Sequence, residues 1–153
     1  MLSVGKTDDD FDAQAIDVFK KRLGFYIPFD MEFVPDLKNT KNLSEKEQKN
    51  LEGEGILNRI QPGDYVVLLD DKGKQYSSTE FARFMEKKSH SVPKRLVFVV
   101  GGPYGFSEAV YARANEKLSL SKMTFTHQMV RLVFVEQLYR AMTILNNEPY
   151  HHE

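Results

Sequence analysis

Two continuous apolar runs constrain the fold of this 153-residue chain more than any other feature. They are Tyr65 to Leu69 (YVVLL) and Leu96 to Val100 (LVFVV), and neither alternates with polar residues. Strands with this pattern are covered on both faces, as in the parallel sheets of α/β proteins. The runs therefore predict buried strands of a largely parallel sheet that is flanked by helices.

Helical and extended patterns alternate around these runs, which supports the α/β class. Apolar residues recur at helical spacing from Phe11 to Leu23. Phe29, Met31 and Phe33 have the period of a half-buried strand, which Pro35 closes. The sheet should therefore gain a further strand between residues 29 and 33.

A polar helix is predicted from Ser44 to about Arg59. Ser44 and Glu47 have the spacing of a capping box, in which each side chain bonds the other residue's backbone N–H. Gly53 and Gly55 lie inside this segment and argue against a regular helix. The pattern leaves the regularity of this helix open.

Further elements follow toward the carboxyl terminus. Ser77 and Glu80 form a second capping box, and Ser107 begins a helix that should run to about Lys117. Residues 120–125 suit a short strand or a loop, and residues 127–145 a long helix that is apolar on more than one side. There is no internal repeat and no linker, so we expect a single domain over residues 1–153.

Composition excludes several classes of protein. The chain is 41% apolar, has a mean hydropathy of −0.46 and contains no Cys, which removes disulfides and cysteine-based zinc sites. It has neither a signal-like segment nor an apolar stretch long enough to cross a membrane, so a cytoplasmic location is expected. The net charge of −1 argues against unspecific binding of nucleic acid.

A glycine turn, Gly101-Gly102-Pro103-Tyr104-Gly105, follows the second apolar run. Ligands of parallel sheets bind at the carboxyl ends of the strands, and the first run also ends in a polar segment, Asp70 to Gly73. Both ends should therefore face one pocket. A turn of this kind is, by itself, more often a sharp connection than a binding site.

Neither common nucleotide loop fits. The glycines of the turn lack the G-x-G-x-x-G spacing, and Pro103 removes an amide donor. Val4 to Thr7 (VGKT) resembles the end of a P-loop, but the first glycine of that motif would precede Met1. A second segment is more informative. Residues 119–125 place small hydroxyls between apolar side chains, where exposed backbone suits the edge of an adenine.

Four ordered motifs together resemble the bacterial RlmH family of knotted SPOUT-type methyltransferases. They are GGPYGF, SLSKMTFTHQMVR, EQLYRAMTI and the terminal EPYHHE, and the LLD-x-x-G and VGKT segments fit as well. The similarity covers nearly the whole chain and is most pronounced after Lys94. One departure is the short start, MLSVGKT, where the family has a fuller first strand. That departure leaves the edge of the sheet uncertain.

The resemblance implies a carboxyl-terminal trefoil knot and an enzyme that methylates N3 of a pseudouridine in large-subunit ribosomal RNA. It implies S-adenosylmethionine as the cofactor, a homodimer that pairs through the knot, and a ribosomal RNA substrate in the assembled ribosome. No metal and no membrane partner are expected. The implied cofactor-binding residues are Leu69, Gly101, Leu120, Ser121, Lys122, Met123, Thr124 and Phe125.

The carboxyl-terminal third also supplies candidates for the chemistry. A base must take the imide proton of N3, and histidine titrates near neutral pH. Arginine can stabilise charge on the carbonyls that flank N3. The candidate catalytic residues are His127, Arg140, Tyr150, His151 and His152, with Glu136 to orient one of them.

Each candidate also has a structural interpretation. His127 can cap or pack the last helix, Arg131 and Arg140 can be surface cations, and Glu136 has the spacing of a helix ion pair with Arg140. The tail from Glu148 to Glu153 would be frayed in most proteins. Two other functions are considered: an inactive ribosome-associated RNA-binding module of the same fold, and an unrelated nucleotide or nicotinamide enzyme.

Overall fold

A computed structural model describes residues 1–153 as one five-stranded sheet with helices on both faces. The strands are β1 (Leu2–Val4), β2 (Glu32–Val34), β3 (Tyr65–Gln75), β4 (Leu96–Val100) and β5 (Glu116–Ser119). The helices are α1 (Asp10–Leu23), α2 (Glu45–Leu57), α3 (Ser78–Ser91), α4 (Glu108–Arg113) and α5 (Met129–Leu145), with a short 3₁₀ helix at Thr40–Asn42. None of these helices is both long and apolar enough to cross a membrane.

The strand order is β2-β1-β4-β3-β5, and every pairing between these strands is parallel. The short first strand is therefore interior, since Leu2 lies opposite Glu32 on one side and opposite Val99 on the other. The expectation that the shortened start affects the edge of the sheet is wrong. The edges are β2 and β5, and both are only three or four residues long.

The two apolar runs form the centre of the sheet, as predicted. Successive residues of β3 enter opposite layers: Val67 packs in the layer with α3 and α5, whereas Val66 and Leu68 pack in the layer with α2 and α4. All three side chains are fully buried. A strand that is covered on both faces has no position for a polar residue, which explains the unbroken apolar pattern.

Both predicted capping boxes are present. Glu47 N donates to Ser44 Oγ at 3.1 Å and Ser44 N donates to Glu47 Oε2 at 2.7 Å, and the pair at Ser77 and Glu80 repeats this arrangement. Helix α2 runs from Glu45 to Leu57 without interruption despite its glycines. Glycine weakens a helix, so a glycine in α2 needs another explanation. For Gly53 that explanation is close packing against Ser107, which follows the glycine turn.

The structure corrects two predicted boundaries. Helix α4 ends at Arg113 rather than near Lys117, because Asn115 pairs with β3: its backbone N–H donates to Val66 O and its side chain accepts from Val66 N, both at 2.8 Å. The chain then forms β5, which the apolar pattern did not reveal. Strand β2 spans Glu32–Val34 rather than residues 29–33.

Candidate functional site

A cavity of about 430 Å³ opens at the carboxyl ends of β3, β4 and β5. Its volume is within the range of roughly 300 to 1,000 Å³ that is typical of small-molecule sites. The wall combines the end of β3, the glycine turn, the loop after β5 and the start of α5. The lining residues are Leu69, Asp70, Asp71, Lys72, Val100, Gly101, Gly102, Pro103, Tyr104, Gly105, Phe106, Tyr111, Leu118, Ser119, Leu120, Ser121, Met123, Thr124, Phe125, His127 and Val130.

Strand β3 supplies an acidic side of this cavity. Its pairing with β5 shifts register between Leu69 and Lys74, so the intervening residues leave the ladder. Asp70 accepts hydrogen bonds from the Tyr111 hydroxyl and from Lys72 N. Burial opposes ionisation of Asp70, but these hydrogen bonds outweigh it and lower the pKa of the carboxyl. Asp70 is therefore a fixed negative charge in the wall.

The pKa of Tyr111 shifts in the opposite direction to that of Asp70. Burial, and then the hydrogen bond to the Asp70 carboxylate, raise the pKa of the phenol above its ordinary value. The ring is also held edge-on against Phe106, with 5.8 Å between the ring centroids. Tyr111 is thus a neutral donor that connects α4 to the end of β3 across the mouth of the cavity.

The glycine turn is tightly packed at Gly101 and open at Gly105. Gly105 N donates to Gly102 O at 3.1 Å, and Gly105 has φ of 82°, which only glycine adopts readily. A Cβ on Gly101 would lie 3.1 Å from Phe106 Cε1, whereas a Cβ on Gly105 would have no neighbour within 4 Å. The backbone at Gly105 is therefore open to a ligand in the cavity.

The loop after β5 is shaped by its own hydroxyls. Ser119 Oγ donates to Ser121 O at 2.9 Å, and Ser121 Oγ accepts from Met123 N at 2.9 Å. Thr126 Oγ1 accepts from Met129 N at 3.1 Å at the start of α5. Of the expected cofactor-binding residues only Lys122 lies outside the cavity lining.

His127 lines the cavity, and the start of α5 is anchored on β1. Arg131 is fully buried and donates from Nη1 to Gly5 O at 2.9 Å and from Nη2 to Val4 O at 2.6 Å. Gln128 Nε2 donates to Lys6 O at 3.0 Å. The interpretation of Arg131 as a surface cation is wrong, because its guanidinium is buried against strand-end carbonyls. The VGKT segment serves as this anchor.

A second group of candidates surrounds Glu136 on α5, and we call it the tail cluster: Glu136, Arg140, Tyr150 and His151. Glu136 Oε1 accepts from Arg140 Nη2 at 2.6 Å and from the Tyr150 hydroxyl at 2.9 Å. Arg140 Nη1 donates to His151 Nδ1 at 3.3 Å, and its guanidinium lies 4.7 Å from the Tyr150 ring centroid. Burial, and then the hydrogen bond to Glu136, raise the pKa of Tyr150.

The tail is packed on the protein rather than frayed. Tyr26 donates to Glu148 Oε2 at 2.6 Å, and Thr79 donates to Glu153 Oε1 at 2.7 Å. His152 is exposed. The structure brings together the four residues of the tail cluster, but none of them, nor His152, lines the cavity. Within one chain, Arg140 lies ten residues beyond the cavity-lining Val130 on α5, which is about 15 Å along the helix.

Comparison with known proteins now assigns the family. A family model described as "Predicted SPOUT methyltransferase" matches residues 1–151. The chain belongs to the SPOUT methyltransferase family. A protein of Parabacteroides distasonis is 67% identical over 153 residues, covering 100% of this chain and 98% of its own length. A protein of Bacteroides thetaiotaomicron is 60% identical with the same coverage, and both are named Ribosomal RNA large subunit methyltransferase H.

A solved structure, "The structure of a probable methylase family protein from Haemophilus influenzae Rd KW20", supports the fold. It matches with a TM-score of 0.52 at 11% identity, over 99% of this chain and 70% of its own length. At that identity the similarity concerns the fold alone. The α/β fold predicted for a SPOUT methyltransferase is confirmed, and the trefoil knot stays a prediction from the family resemblance.

Sequence reasoning missed one part of this SPOUT methyltransferase site. Tyr111 follows the fully buried Val110 in a short helix and is itself 38% exposed, so its position gave no reason to expect a role in the cavity. An exposed aromatic residue soon after a glycine turn is the only signal that could have indicated it.

The cavity suits the expected methyl donor. It has apolar walls for a ring, open backbone at Gly105, and the ionised Asp70 carboxylate for hydroxyls or a positive charge. The structure contains no group of three or more His, Asp or Glu side chains arranged to hold a metal ion.

Proposed function

We propose that this SPOUT methyltransferase uses S-adenosylmethionine to methylate N3 of a pseudouridine in large-subunit ribosomal RNA. The observation that carries the proposal is the cavity, in which the end of β3, the glycine turn and the loop after β5 meet around one volume of about 430 Å³. The names of the relatives support a ribosomal RNA substrate. We further propose that residues 1–153 act as a single cytoplasmic domain.

The cofactor supplies an electrophilic methyl group when it is bound. The protein's share of the work is to align the nucleophile and remove a proton. Leu69, Gly101 and the loop from Leu120 to Phe125, apart from Lys122, provide the binding surface. Asp70 lies on the same wall and is held ionised by Tyr111.

The nucleophile requires a base because N3 carries an imide proton at neutral pH. Formation of the N–CH₃ bond releases that proton to the protein. His127 at the cavity and His151 in the tail cluster are the candidates, and Arg140 stabilises charge on the flanking carbonyls. Tyr150 can stack on an unpaired base, the usual way in which proteins hold looped RNA.

These roles require the tail cluster near the cavity, although within one chain Arg140 lies about 15 Å along α5 from the cavity-lining Val130. We propose that a second subunit of a homodimer brings its tail cluster to the cavity of the first. The start of α1 adjoins the start of α5, since Asp8 N donates to Gln128 Oε1 at 3.2 Å.

Exposed apolar side chains support such an interface. Phe11 and Val18 are 73% and 46% exposed and lie seven residues apart on α1, while Met129 at the start of α5 is 39% exposed. Helices α1 and α3 pack against α5, but Val130, Leu132 and Val133 on that helix are only partly buried. The exposed apolar side chains on α1, at Met129 and in the loop before α5, where Met123 is 78% exposed, form the surface that we assign to this interface.

Nucleoside analysis by mass spectrometry tests the reaction. Large-subunit ribosomal RNA from cells that lack this protein should contain no N3-methylpseudouridine, and the purified protein should restore the methyl group from labelled S-adenosylmethionine. An inactive ribosome-associated module would bind ribosomes without transferring the label. Retention of the modification in the deletion strain would overturn the assigned substrate.

Mixing two defective variants tests the composite site. Gly101→Val should block the cavity, and deletion of residues 150–153 should remove Tyr150 and His151 from the tail cluster. Each homodimer is expected to be inactive, whereas a co-expressed mixture regains activity in heterodimers with one intact cavity and one intact tail. Light scattering should report twice 17.7 kDa. Inactive mixtures that still form heterodimers would show that the tail acts within its own chain.

A further inference from the structure

Helix α2 lies directly behind the glycine turn and contacts it through Glu52. Glu52 is only 5% exposed, and it does not line the cavity. A Cβ on Gly102 would lie 2.6 Å from Glu52 Oε2, so the turn approaches this side chain as closely as a glycine permits. No residue other than glycine fits at position 102 while Glu52 keeps its position.

The next residue of α2, Gly53, packs against Ser107, which follows the glycine turn. A Cβ on Gly53 would lie 2.4 Å from Ser107 Oγ, and Ser107 is the N-cap of α4, where it accepts from Val110 N at 3.3 Å. Two consecutive residues of one helix therefore contact Gly102 within the turn and Ser107, two residues after the turn ends. This contact explains a glycine that weakens α2.

The chemistry of Glu52 is unusual for a packing residue. Gln48 Nε2 donates to Oε1 at 3.0 Å and holds the carboxyl in place, but the buried Oε2 has no hydrogen-bond partner. A buried polar atom without a partner is costly, and an apolar side chain would avoid that cost. Burial raises the pKa of this carboxyl, with Asp36 and His127 as its charged or titratable neighbours. Its position against Gly102 points to a role in supporting the turn.

We propose that Glu52 and Gly53 brace the glycine turn and thereby set the affinity for S-adenosylmethionine without contacting it. Both act as positioning residues. Glu52 fixes the position of Gly102 relative to α2, and Gly53 fixes the position of Ser107 at the start of α4. The inference rests on the cofactor named under the proposed function. We therefore expect substitutions in α2 to alter cofactor affinity by changing the distance between α2 and the glycine turn.

A compensating pair of substitutions gives the sharpest test. Gly102→Ala places a methyl group against Glu52, so calorimetry with S-adenosylmethionine should show an affinity loss of about tenfold or more, as expected for overpacking. Glu52→Ala alone should weaken binding by about threefold, since the turn loses its support. The double variant should bind more tightly than Gly102→Ala by about threefold, because the shortened side chain on α2 makes room for the added methyl group.

Two further variants separate positioning from general structure. Glu52→Gln keeps the shape of the side chain and should bind S-adenosylmethionine as tightly as the wild type, unlike Glu52→Ala. Glu54→Ala changes an exposed neighbour on the same helix and is the matched control. Thermal melting of every variant shows whether an affinity loss merely follows unfolding.

The outcomes distinguish this inference from the proposed function. A wild-type protein that does not bind S-adenosylmethionine would contradict the proposed cofactor. A wild-type protein that binds, together with a double variant no tighter than Gly102→Ala, would overturn the brace and leave the cofactor in place. Wild-type affinity in Glu52→Ala would overturn it as well.

Discussion

The cavity and the tail cluster differ in the kind of group that forms them. Apart from its acidic side at Asp70 and from His127, the cavity relies mainly on backbone, small hydroxyls and apolar side chains, with glycines where backbone must approach closely. The tail cluster consists of charged and aromatic side chains around Glu136. Backbone suits the recognition of a cofactor of constant shape, whereas titratable groups suit proton transfer and contact with RNA. Binding and chemistry should therefore respond separately to mutation.

Deletion of residues 150–153 should have the largest effect on this separation. The methylation rate should fall by at least about a hundredfold, because general acid–base catalysis alone contributes that much. Affinity for S-adenosylmethionine should stay within about twofold, since none of these residues lines the cavity. Methylation of ribosomes and calorimetry measure the two quantities, with thermal melting as the control. A rate within about threefold of the intact protein would show that the tail is dispensable.

Glu136→Gln, also in the tail cluster, should lower the methylation rate by an intermediate amount. It removes the charge that holds Arg140 and Tyr150, and a charge-assisted hydrogen bond is worth enough to lower the rate by about tenfold. The cofactor affinity should not change. Gln137→Ala on the same helix is the comparison, since it keeps the contacts of Glu136 with Arg140 and Tyr150 and removes only the donor at Glu136 Oε2 and the contact with Ser78. A fall in affinity without a fall in rate would reverse the proposed assignment.

Tyr111→Phe tests the cavity with a smaller change. Loss of the hydroxyl leaves Asp70 with fewer donors and should weaken S-adenosylmethionine binding by about threefold to tenfold. At saturating cofactor the rate should be close to that of the wild type. Tyr104→Phe, which also alters an exposed tyrosine of the wall, is the matched variant. Equal losses from both would mean that the bond to Asp70 contributes nothing specific.

A titration of Tyr150 should give the smallest signal. Burial and Glu136 favour the neutral phenol, so the interaction is fully present below the ordinary tyrosine pKa of about 10 and is lost as the pH rises through the higher folded value. In Glu136→Gln the ultraviolet titration of this phenol should move back toward lower pH. The Tyr150→Phe difference spectrum identifies its contribution. An unchanged titration would show that Glu136 does not control the tail cluster.

Local patterns in the sequence predicted the elements that local physics controls. The unbroken apolar runs located β3 and β4, and the serine and glutamate pairs located the starts of α2 and α3, because capping involves residues only three positions apart. Parallel strands direct their carboxyl ends to one edge, so the pocket at the ends of both runs was also predictable. The cofactor and catalytic assignments came from the family resemblance and remain predictions.

Long-range contacts decided what the pattern could not. Strand β5 exists because Asn115 pairs with Val66, and the burial of Arg131 depends on carbonyls 126 and 127 residues away along the chain. Arg140 has Glu136 four residues before it and stays half-buried beside it, whereas no residue near Arg131 in the sequence indicates the strand-end carbonyls that it meets. The sequence by itself determined the helices, the central strands and the end of the sheet at which the cavity opens. The tertiary structure alone decided the contacts between residues distant in sequence, such as Arg131 with Val4 and Gly5, because these depend on backbone groups brought together only by folding.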